Sequence, residues 1–226
     1  MRMISLAYKK AGEGKPLILL HGNGGSSDDF ALQIDYFSGF REVISVDTRG
    51  HGNSPRGDVP MSFLQFAKDL RYFMDEQRIE TADLLGFSDG ANTAILFAAE
   101  NPKRVGKLIL CGACTSPKAV KRSVQIPIEI GYWIASRFKN PEAKKNAEIL
   151  GLMVNDFGIS KEHLRRIQAE TLVLAGTRDM ISTAHTKMIA ETIPKAKLQF
   201  LEGDHFLPMK RADEFNKTVE AFLKEE

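Results

Sequence analysis

The sequence GFSDG at residues 86–90 joins two contrasting segments of the chain. Residues 82–87 are apolar and predict a buried strand, whereas residues 91–100 predict a helix. A serine on so tight a strand-to-helix turn takes strained backbone angles, and side chains on either side of it would clash. Gly86 and Gly90 remove those clashes. The G-x-S-x-G pattern between a strand and a helix therefore predicts that Ser88 is an exposed nucleophile.

Short apolar runs alternate with helical patterns on both sides of this turn. Runs rich in Leu, Ile and Val that alternate with helices predict an α/β fold, in which a mostly parallel, doubly wound sheet is covered on both faces. The predicted strands are residues 16–20, 42–46, 82–87, 105–111, 171–175 and 198–201. One predicted helix begins near residue 28, and four others cover residues 61–77, 91–100, 183–192 and 215–223.

The stretch from about 115 to 169 breaks this alternation, because it has helical patterns and no convincing strand. We predict a single domain over residues 1–226 with a short helical cap at this position. Ile130, Trp133 and Ile134 fall on one helix face, which indicates an apolar pocket wall, although any packed helix shows the same pattern. Pro127 suits a helix start.

The charge of this stretch is uneven, with ten Lys or Arg and five Asp or Glu. Two interpretations stay open: a solvated helix surface, or a cap that attracts anionic substrates.

The composition of the whole chain excludes several function classes. In 226 residues, 31 Lys or Arg face 29 Asp or Glu, which argues against a dedicated nucleic-acid binder. No apolar run approaches the roughly 18 residues of a membrane span, and the N-terminus lacks a signal-peptide core, so we expect a cytoplasmic protein without a membrane partner. The five His show no zinc spacing, so we expect no metal. The sequence does not determine the oligomeric state.

Three further motifs follow predicted strands. HGNGG at residues 21–25 offers backbone N–H groups, and we assign an oxyanion hole to the N–H groups of Asn23 and Asp89. Asp179 lies in GTRD at residues 176–179, and His205 lies in GDHF at residues 203–206. The chain order Ser88, Asp179, His205 is that of one hydrolase architecture. In a parallel sheet these strand ends meet at one edge.

With these motifs the sequence resembles the α/β-hydrolase fold family over essentially the whole chain. DTRGHGNS at residues 47–54 also resembles that family's loop after the second parallel strand. The resemblance implies Ser88 as nucleophile, His205 as base and Asp179 as the partner of His205. GFSDGA at residues 86–91 is similar to small esterases of the biphenyl-hydrolase-like and valacyclovir-hydrolase-like kind. The expected activity is hydrolysis of a small carboxylic ester through an acyl-enzyme, without a cofactor.

Other activities and roles remain open at this point. A thioesterase, an amidase, a lactonase or a carbon–carbon hydrolase would use the same residues, and a ligand sensor with little turnover would share the fold. Asp89 is either an acid stabilised by the helix N-terminus or a carboxylate that contacts an amino group of the substrate. Cys111 and Cys114 have redox-motif spacing but end a mid-chain strand, which favours buried apolar roles, and Cys114 is a candidate for the pocket lining.

A dinucleotide-binding site is the alternative interpretation of the first glycine-rich loop. Gly22, Gly24 and Asp47, which ends the following strand, imitate part of that fingerprint, but Ser27 occupies the place of its third glycine. Asp28 and Asp29 would put negative charge where a pyrophosphate binds. This alternative also leaves the three later motifs unexplained.

Overall fold

The computed structural model describes residues 3–225, and the strands in this range form one seven-stranded sheet. The strands are β1 (Tyr8–Ala11), β2 (Pro16–Leu20), β3 (Glu42–Val46), β4 (Ala82–Phe87), β5 (Val105–Cys111), β6 (Glu170–Gly176) and β7 (Ala196–Leu201). Their order in the sheet is β1-β3-β2-β4-β5-β6-β7. Strand β1 is antiparallel to β3, and all other neighbours are parallel. The predicted α/β fold with a mostly parallel sheet is confirmed.

Nine α-helices lie in the described part of the chain. They are α1 (Ala31–Phe37), α2 (Phe63–Glu76), α3 (Asp89–Glu100), α4 (Arg122–Ala135), α5 (Pro141–Val154), α6 (Lys161–Arg166), α7 (Thr183–Thr192), α8 (Leu207–Lys210) and α9 (Ala212–Lys224). Helices α4, α5 and α6 occur between β5 and β6, where the sequence predicts helices without a strand. We call residues 115–169 the helical insertion.

Two apolar layers cover the sheet, one on each face. Side chains of a strand alternate between its faces, so Ile18 and Leu20 of β2 contact one layer while Leu17 and Leu19 contact the other. The first layer contains buried residues of α2, α3, α6 and α7. The second contains buried residues of α1, α8 and α9. Burial on both faces explains why the central strands read as continuous apolar runs.

Two local features differ from the sequence predictions. The predictions omit β1, whose sequence YKKA has no apolar run and whose residues are largely exposed. Backbone hydrogen bonds to the outer edge of β3 hold this strand, and such bonds leave no side-chain pattern. The helix start predicted at Pro127 is also wrong, because α4 begins at Arg122. The Gln125 side chain donates to the Met153 carbonyl oxygen at 3.1 Å and stabilises the turn that precedes the proline.

Within residues 3–225, no helix combines the length and the apolar character that crossing a lipid bilayer requires.

Candidate active site

Ser88 occupies a strained turn between the end of β4 and the start of α3. Its φ is 54° and its ψ is −116°, a backbone conformation that residues other than glycine rarely adopt. A Cβ on Gly86 would lie 2.5 Å from the Gly90 carbonyl oxygen, and a Cβ on Gly90 would lie 1.9 Å from the Leu20 carbonyl oxygen. The two glycines therefore allow the close approach of backbone that the turn needs, as the sequence predicts.

The side chains of Ser88, His205 and Asp179 form a hydrogen-bonded chain. His205 Nε2 lies 3.0 Å from Ser88 Oγ, and His205 Nδ1 lies 2.8 Å from Asp179 Oδ1. Because a carboxylate only accepts, Nδ1 carries the hydrogen in the neutral imidazole and Nε2 is free to accept from the serine hydroxyl. Asp179 Oδ1 also accepts from the Ile181 N–H at 2.9 Å. His205 and Asp179 are buried, whereas Ser88 is partly exposed to solvent.

The parallel sheet brings these three residues together although 117 positions separate Ser88 from His205. Ser88 directly follows β4, Asp179 follows β6 by three residues, and His205 follows β7 by four. The carboxyl ends of parallel strands share one edge, so the loops after β4, β6 and β7 converge there. This is the arrangement that the motif positions predict.

Gly112 is a site residue that the sequence reasoning missed. It follows β5, has a φ of +63° and packs against the imidazole, since a Cβ on it would lie 2.6 Å from His205 Cε1. Any other residue there would displace the ring from Ser88. A glycine directly after a predicted strand, at the edge where the other motifs lie, was the available signal.

The backbone N–H groups of Asn23 and Asp89 are the candidate oxyanion donors. Asn23 lies in the loop after β2, and that loop packs on the nucleophile, because a Cβ on Gly22 would be 3.3 Å from Ser88 Cβ. Asp89 is the first residue of α3, where backbone N–H groups have no partner within the helix. Neither N–H donates to another residue within 3–225. The positive end of the α3 dipole adds to the attraction for negative charge at this position.

The side chain of Asp89 is buried beside the nucleophile. Asn23 Nδ2 donates to Asp89 Oδ2 at 2.8 Å and also to the Ile149 carbonyl oxygen of α5 at 2.9 Å. Burial raises the pKa of Asp89 to about 6, and the Asn23 hydrogen bond and the nearby His205 oppose that rise. The Asn23 side chain thus joins a titratable carboxyl group in the site to the helical insertion.

Two buried histidines order the loops around the site. His21 Nε2 accepts from the Thr48 N–H at 3.0 Å, and burial lowers the pKa of His21. His51 lies 5.2 Å from His21 between ring centroids, and burial lowers its pKa to about 4. Asp47 accepts from the backbone N–H groups of Ser27 at 2.6 Å and Asn53 at 2.9 Å, which joins the loop after β2 to the loop after β3. These contacts give the two histidines and Asp47 a role in ordering the loops, separate from the triad.

Cys111 and Cys114 are buried and form no disulfide. The Cys114 N–H donates to Asn92 Oδ1 at 2.8 Å, and burial raises the pKa of its thiol to about 12. A protonated, buried thiol behaves as a small apolar group, which agrees with the apolar interpretation of this pair.

Ile130, Trp133 and Ile134, the predicted wall of an apolar pocket, lie on the exposed side of α4. The opposite side of the helix packs against α5, where Tyr132 is 3.3 Å from the position of a Cβ on Gly151. The structure therefore gives these three side chains no enclosed pocket beside the triad. The apolar spacing reports an amphipathic helix and does not say what the apolar face contacts.

Phe206 is a second residue that the sequence reasoning missed. Its exposed ring has its centroid 5.6 Å from that of His205 and 6.0 Å from that of Phe87. The side chain therefore forms an apolar border of the site next to the base. Its position directly after His205 was the available signal.

No group of three or more His, Cys, Asp or Glu side chains suited to a metal ion occurs within residues 3–225.

Comparison with known proteins places the chain in a family. A sequence model described as the alpha/beta hydrolase fold matches residues 15–157. The serine hydrolase BPHL of Mus musculus is 30% identical over 98% of this chain and 84% of its own length. The 2-hydroxy-6-oxo-6-phenylhexa-2,4-dienoate hydrolase of Comamonas testosteroni is 29% identical over 96% of this chain and 91% of its own.

A solved structure has the same fold at low sequence identity. The crystal structure of the enol-lactonase from Burkholderia xenovorans LB400 matches with a TM-score of 0.84 and 24% identity, and the match covers 98% of this chain and 97% of that one. The matches in sequence and in structure thus agree with the resemblance that the motifs predict. The chain belongs to the α/β-hydrolase fold family and is a hydrolytic enzyme.

Proposed function

We propose that this enzyme cleaves small carboxylic esters, with Ser88 as nucleophile, His205 as general base and Asp179 as the group that orients His205. The hydrogen-bonded chain from Ser88 Oγ through His205 to Asp179 Oδ1, with distances of 3.0 Å and 2.8 Å, carries this proposal. Both distances lie within the reach that direct proton transfer needs. The similarity to serine hydrolases, with 98% of the chain covered in the BPHL match, supports the same chemistry.

The first half of the reaction forms an acyl-enzyme. His205 Nε2 accepts the hydroxyl proton as Ser88 Oγ attacks the ester carbonyl carbon, and Asp179 stabilises the resulting imidazolium. Negative charge develops on the carbonyl oxygen, and the N–H groups of Asn23 and Asp89 donate to it. A donor of this kind lowers the barrier by about 3 kcal/mol. His205 then gives its proton to the departing alkoxide, so the alcohol leaves.

The second half releases the acid. Water gives a proton to His205 as its oxygen attacks the acyl carbon, and the same two N–H groups stabilise the second tetrahedral intermediate. His205 then returns the proton to Ser88 Oγ. Every proton in this catalytic cycle passes through His205 Nε2, so the proposed reaction needs no metal and no organic cofactor.

The residues that contact the substrate are part of this proposal. Asp89 follows the nucleophile directly and, as a buried carboxylate, would bind an amino group of the substrate. Cys114 is the proposed apolar contact, since it is buried, whereas Ile130, Trp133 and Ile134 lie on the exposed side of α4. If Asp89 binds an amine, Asp89→Asn lowers kcat/KM much more for aminoacyl esters than for neutral esters of equal size. An equal loss on both would remove Asp89 from substrate recognition.

Lactone or carbon–carbon bond hydrolysis is the second candidate function. The similarity to the dienoate hydrolase of Comamonas testosteroni, at 29% identity over 96% of this chain, favours carbon–carbon bond hydrolysis. The similarity to the 3-oxoadipate enol-lactonase 2 of Acinetobacter baylyi, at 26% identity over 98% of this chain, favours lactone hydrolysis. The acid, base and oxyanion groups described above serve these reactions equally. Relative kcat/KM on matched acyclic esters, lactones and vinylogous ketones distinguishes the candidates.

We also propose that residues 1–226 form a single domain whose helical insertion acts as a short cap, and that the protein works in the cytoplasm on a small-molecule ester. One sheet covered on both faces supports the single domain. A formal charge of only +2 argues against a nucleic-acid partner.

Fluorophosphonate labelling followed by turnover of p-nitrophenyl esters tests the proposal. We expect labelling at Ser88 and multiple turnovers, and we expect Ser88→Ala to abolish labelling and to lower kcat by roughly four to six orders of magnitude. Ser123→Ala, at an exposed serine of α4, is the matched control and should behave as wild type. Near-normal turnover in Ser88→Ala would overturn the triad. Tight ligand binding without product release would support the sensor interpretation instead.

A further inference from the structure

Helix α4 carries a cluster of exposed apolar side chains. Ten large hydrophobic side chains in residues 3–225 are exposed, and five of them lie together on this helix and just past its end. We call these five the apolar stripe: Ile126, Ile130, Trp133, Ile134 and Phe138, each between 42% and 57% exposed. Single exposed hydrophobic residues are ordinary on protein surfaces, but a contiguous set marks a contact surface.

The stripe follows one side of the helix, and other contacts hold the opposite side. Gln125 donates to the Met153 carbonyl oxygen, and Gly131 and Tyr132 pack against Leu150 and Gly151 of α5. The helix is therefore anchored through its inner side, and the orientation that exposes the stripe follows from that packing.

The start of α4 lies next to the triad. Arg122 begins α4 directly after Lys121, whose Nζ donates to the Asp179 carbonyl oxygen at 2.5 Å. The stripe thus lies within one helix length of the triad.

Positive charge flanks the stripe at both ends. Seven Lys or Arg and two Asp or Glu occur in residues 118–145. The Arg137 guanidinium lies 4.3 Å from the centroid of the Trp133 ring, so this charge stays on the exposed side of the helix. Lys118, Lys139 and Lys144 form no ion pair with an acidic group within residues 3–225.

This charge favours one partner over a second copy of the chain. A twofold contact brings the same patch of both copies together, and here it would oppose two positive surfaces. An anionic lipid surface complements the same charge and accepts isoleucine, tryptophan and phenylalanine side chains at its boundary. We propose that α4 docks on anionic phospholipid membranes with its axis in the membrane plane and the apolar stripe inserted. This inference goes beyond the proposed hydrolysis, does not depend on it, and replaces the expectation from the sequence that the protein has no membrane partner.

Trp133 reports directly on this docking, because it is the only tryptophan of the chain. Its fluorescence is measured with vesicles of phosphatidylcholine and with vesicles of equal parts phosphatidylcholine and phosphatidylglycerol. Flotation of the protein with the vesicles gives the bound fraction. We expect a blue shift of the emission and flotation with the anionic vesicles, and much weaker effects with the neutral ones.

Matched variants separate the stripe from general surface effects. We expect Ile130→Ser to lower the partition onto anionic vesicles roughly tenfold. Leu64→Ser, at an exposed leucine of α2 outside the stripe, should leave the partition unchanged. Lys139→Gln should weaken binding to anionic vesicles several-fold, since each cation near such a surface adds to the attraction. The remote Lys217→Gln should not. Circular dichroism confirms that each variant is folded.

Three outcomes would overturn the proposal. The first is folded wild type that neither floats nor shifts its emission with anionic vesicles. The second is an equal loss of binding in Ile130→Ser and Leu64→Ser. The third is self-association without lipid that Ile130→Ser abolishes, which would assign the stripe to a second copy of the chain. Ester turnover is measured separately, so failure of the docking does not affect the proposed hydrolysis.

Discussion

Helices α2 and α4 have the same length and similar apolar spacing but opposite environments. Each contains 14 residues. Phe63, Phe66 and Phe73 of α2 are buried against the sheet, whereas Ile130 and Trp133 of α4 are among the most exposed hydrophobic side chains of residues 3–225. The periodicity of a helix reports that one side is apolar, and it does not report which surface covers that side.

The elements that each helix joins explain why α2 is buried and α4 is exposed. Helix α2 joins β3 to β4, two strands of one parallel sheet, so the crossover lays the helix on the sheet face. Helix α4 follows β5 but is succeeded by α5 and α6 before the chain returns to the sheet at β6. It packs on α5, and its apolar side has no sheet face to cover. Equal patterns thus give a core helix in one place and a surface helix in the other.

The largest effect that tests this comparison is expected from Phe73→Ala. Phe73 is fully buried in α2, and removing its ring leaves a cavity in the core. We expect the free energy of unfolding to fall by about 3–5 kcal/mol in urea titration. Leu64→Ala, at an exposed position of the same helix, is the control and should change it by about 0.5 kcal/mol or less. A loss under about 1 kcal/mol for Phe73→Ala would mean that α2 is not a core helix.

The buried histidine at the sheet edge predicts a pH dependence of stability. The pKa of His51 is lowered to about 4 by burial, so between pH 6.5 and pH 4 the unfolded chain binds a proton that the folded chain does not. His51 therefore makes the folded state less stable as pH falls through this window. Relative to His51→Gln, wild type should lose on the order of 3 kcal/mol of unfolding free energy between pH 7 and pH 4. Parallel pH profiles of the two proteins would contradict the burial of a neutral imidazole.

Asp89 should have the opposite effect on stability, because it makes the folded state less stable as pH rises through the same range. Its pKa is raised to about 6 by burial, so at pH 8 the folded chain holds a buried carboxylate that the unfolded chain exposes to water. Asp89→Asn removes this cost, and we expect the variant to be more stable than wild type by roughly 2–3 kcal/mol at pH 8. The difference should vanish near pH 4. A variant less stable than wild type at pH 8 would show that the carboxylate is stabilised in the folded protein.

The smallest effect is expected on the exposed side of α4. Ile130→Ala should change the free energy of unfolding by about 0.5 kcal/mol or less, because the side chain is already half exposed and alanine favours helix. Urea titration at two protein concentrations measures it. A loss of about 2 kcal/mol or more that grows with concentration would mean that a second copy buries the stripe, and the contrast with α2 would disappear.

The central strands and the reacting residues could be predicted because their signals are local. Four predicted strands match the structure to the residue, at 16–20, 42–46, 82–87 and 105–111. The glycines around Ser88 reveal the nucleophile turn, since they permit backbone contacts that no other residue allows. Strand β1 was missed because edge pairing through the backbone needs no apolar pattern.

Gly112 and Phe206 could not be assigned from spacing alone. Gly112 matters because the ring of His205 lies against it, 93 residues later in the chain, and only the convergence of the loops after β5 and β7 creates that contact. Asn23 likewise joins Asp89 to the Ile149 carbonyl oxygen of the helical insertion. Such contacts depend on relative positions of whole elements.

The sequence by itself determined which residues are strained, apolar or able to react, because these properties belong to single residues and their near neighbours. The α/β order of elements and the chain order Ser88, Asp179, His205 belong to this part. Only the tertiary structure decided that His205 Nε2 lies 3.0 Å from Ser88 Oγ and that α2 is buried while α4 is exposed. The physical reason is that hydrogen bonds and burial act over a few ångströms, and only the packing of distant segments brings atoms within that range.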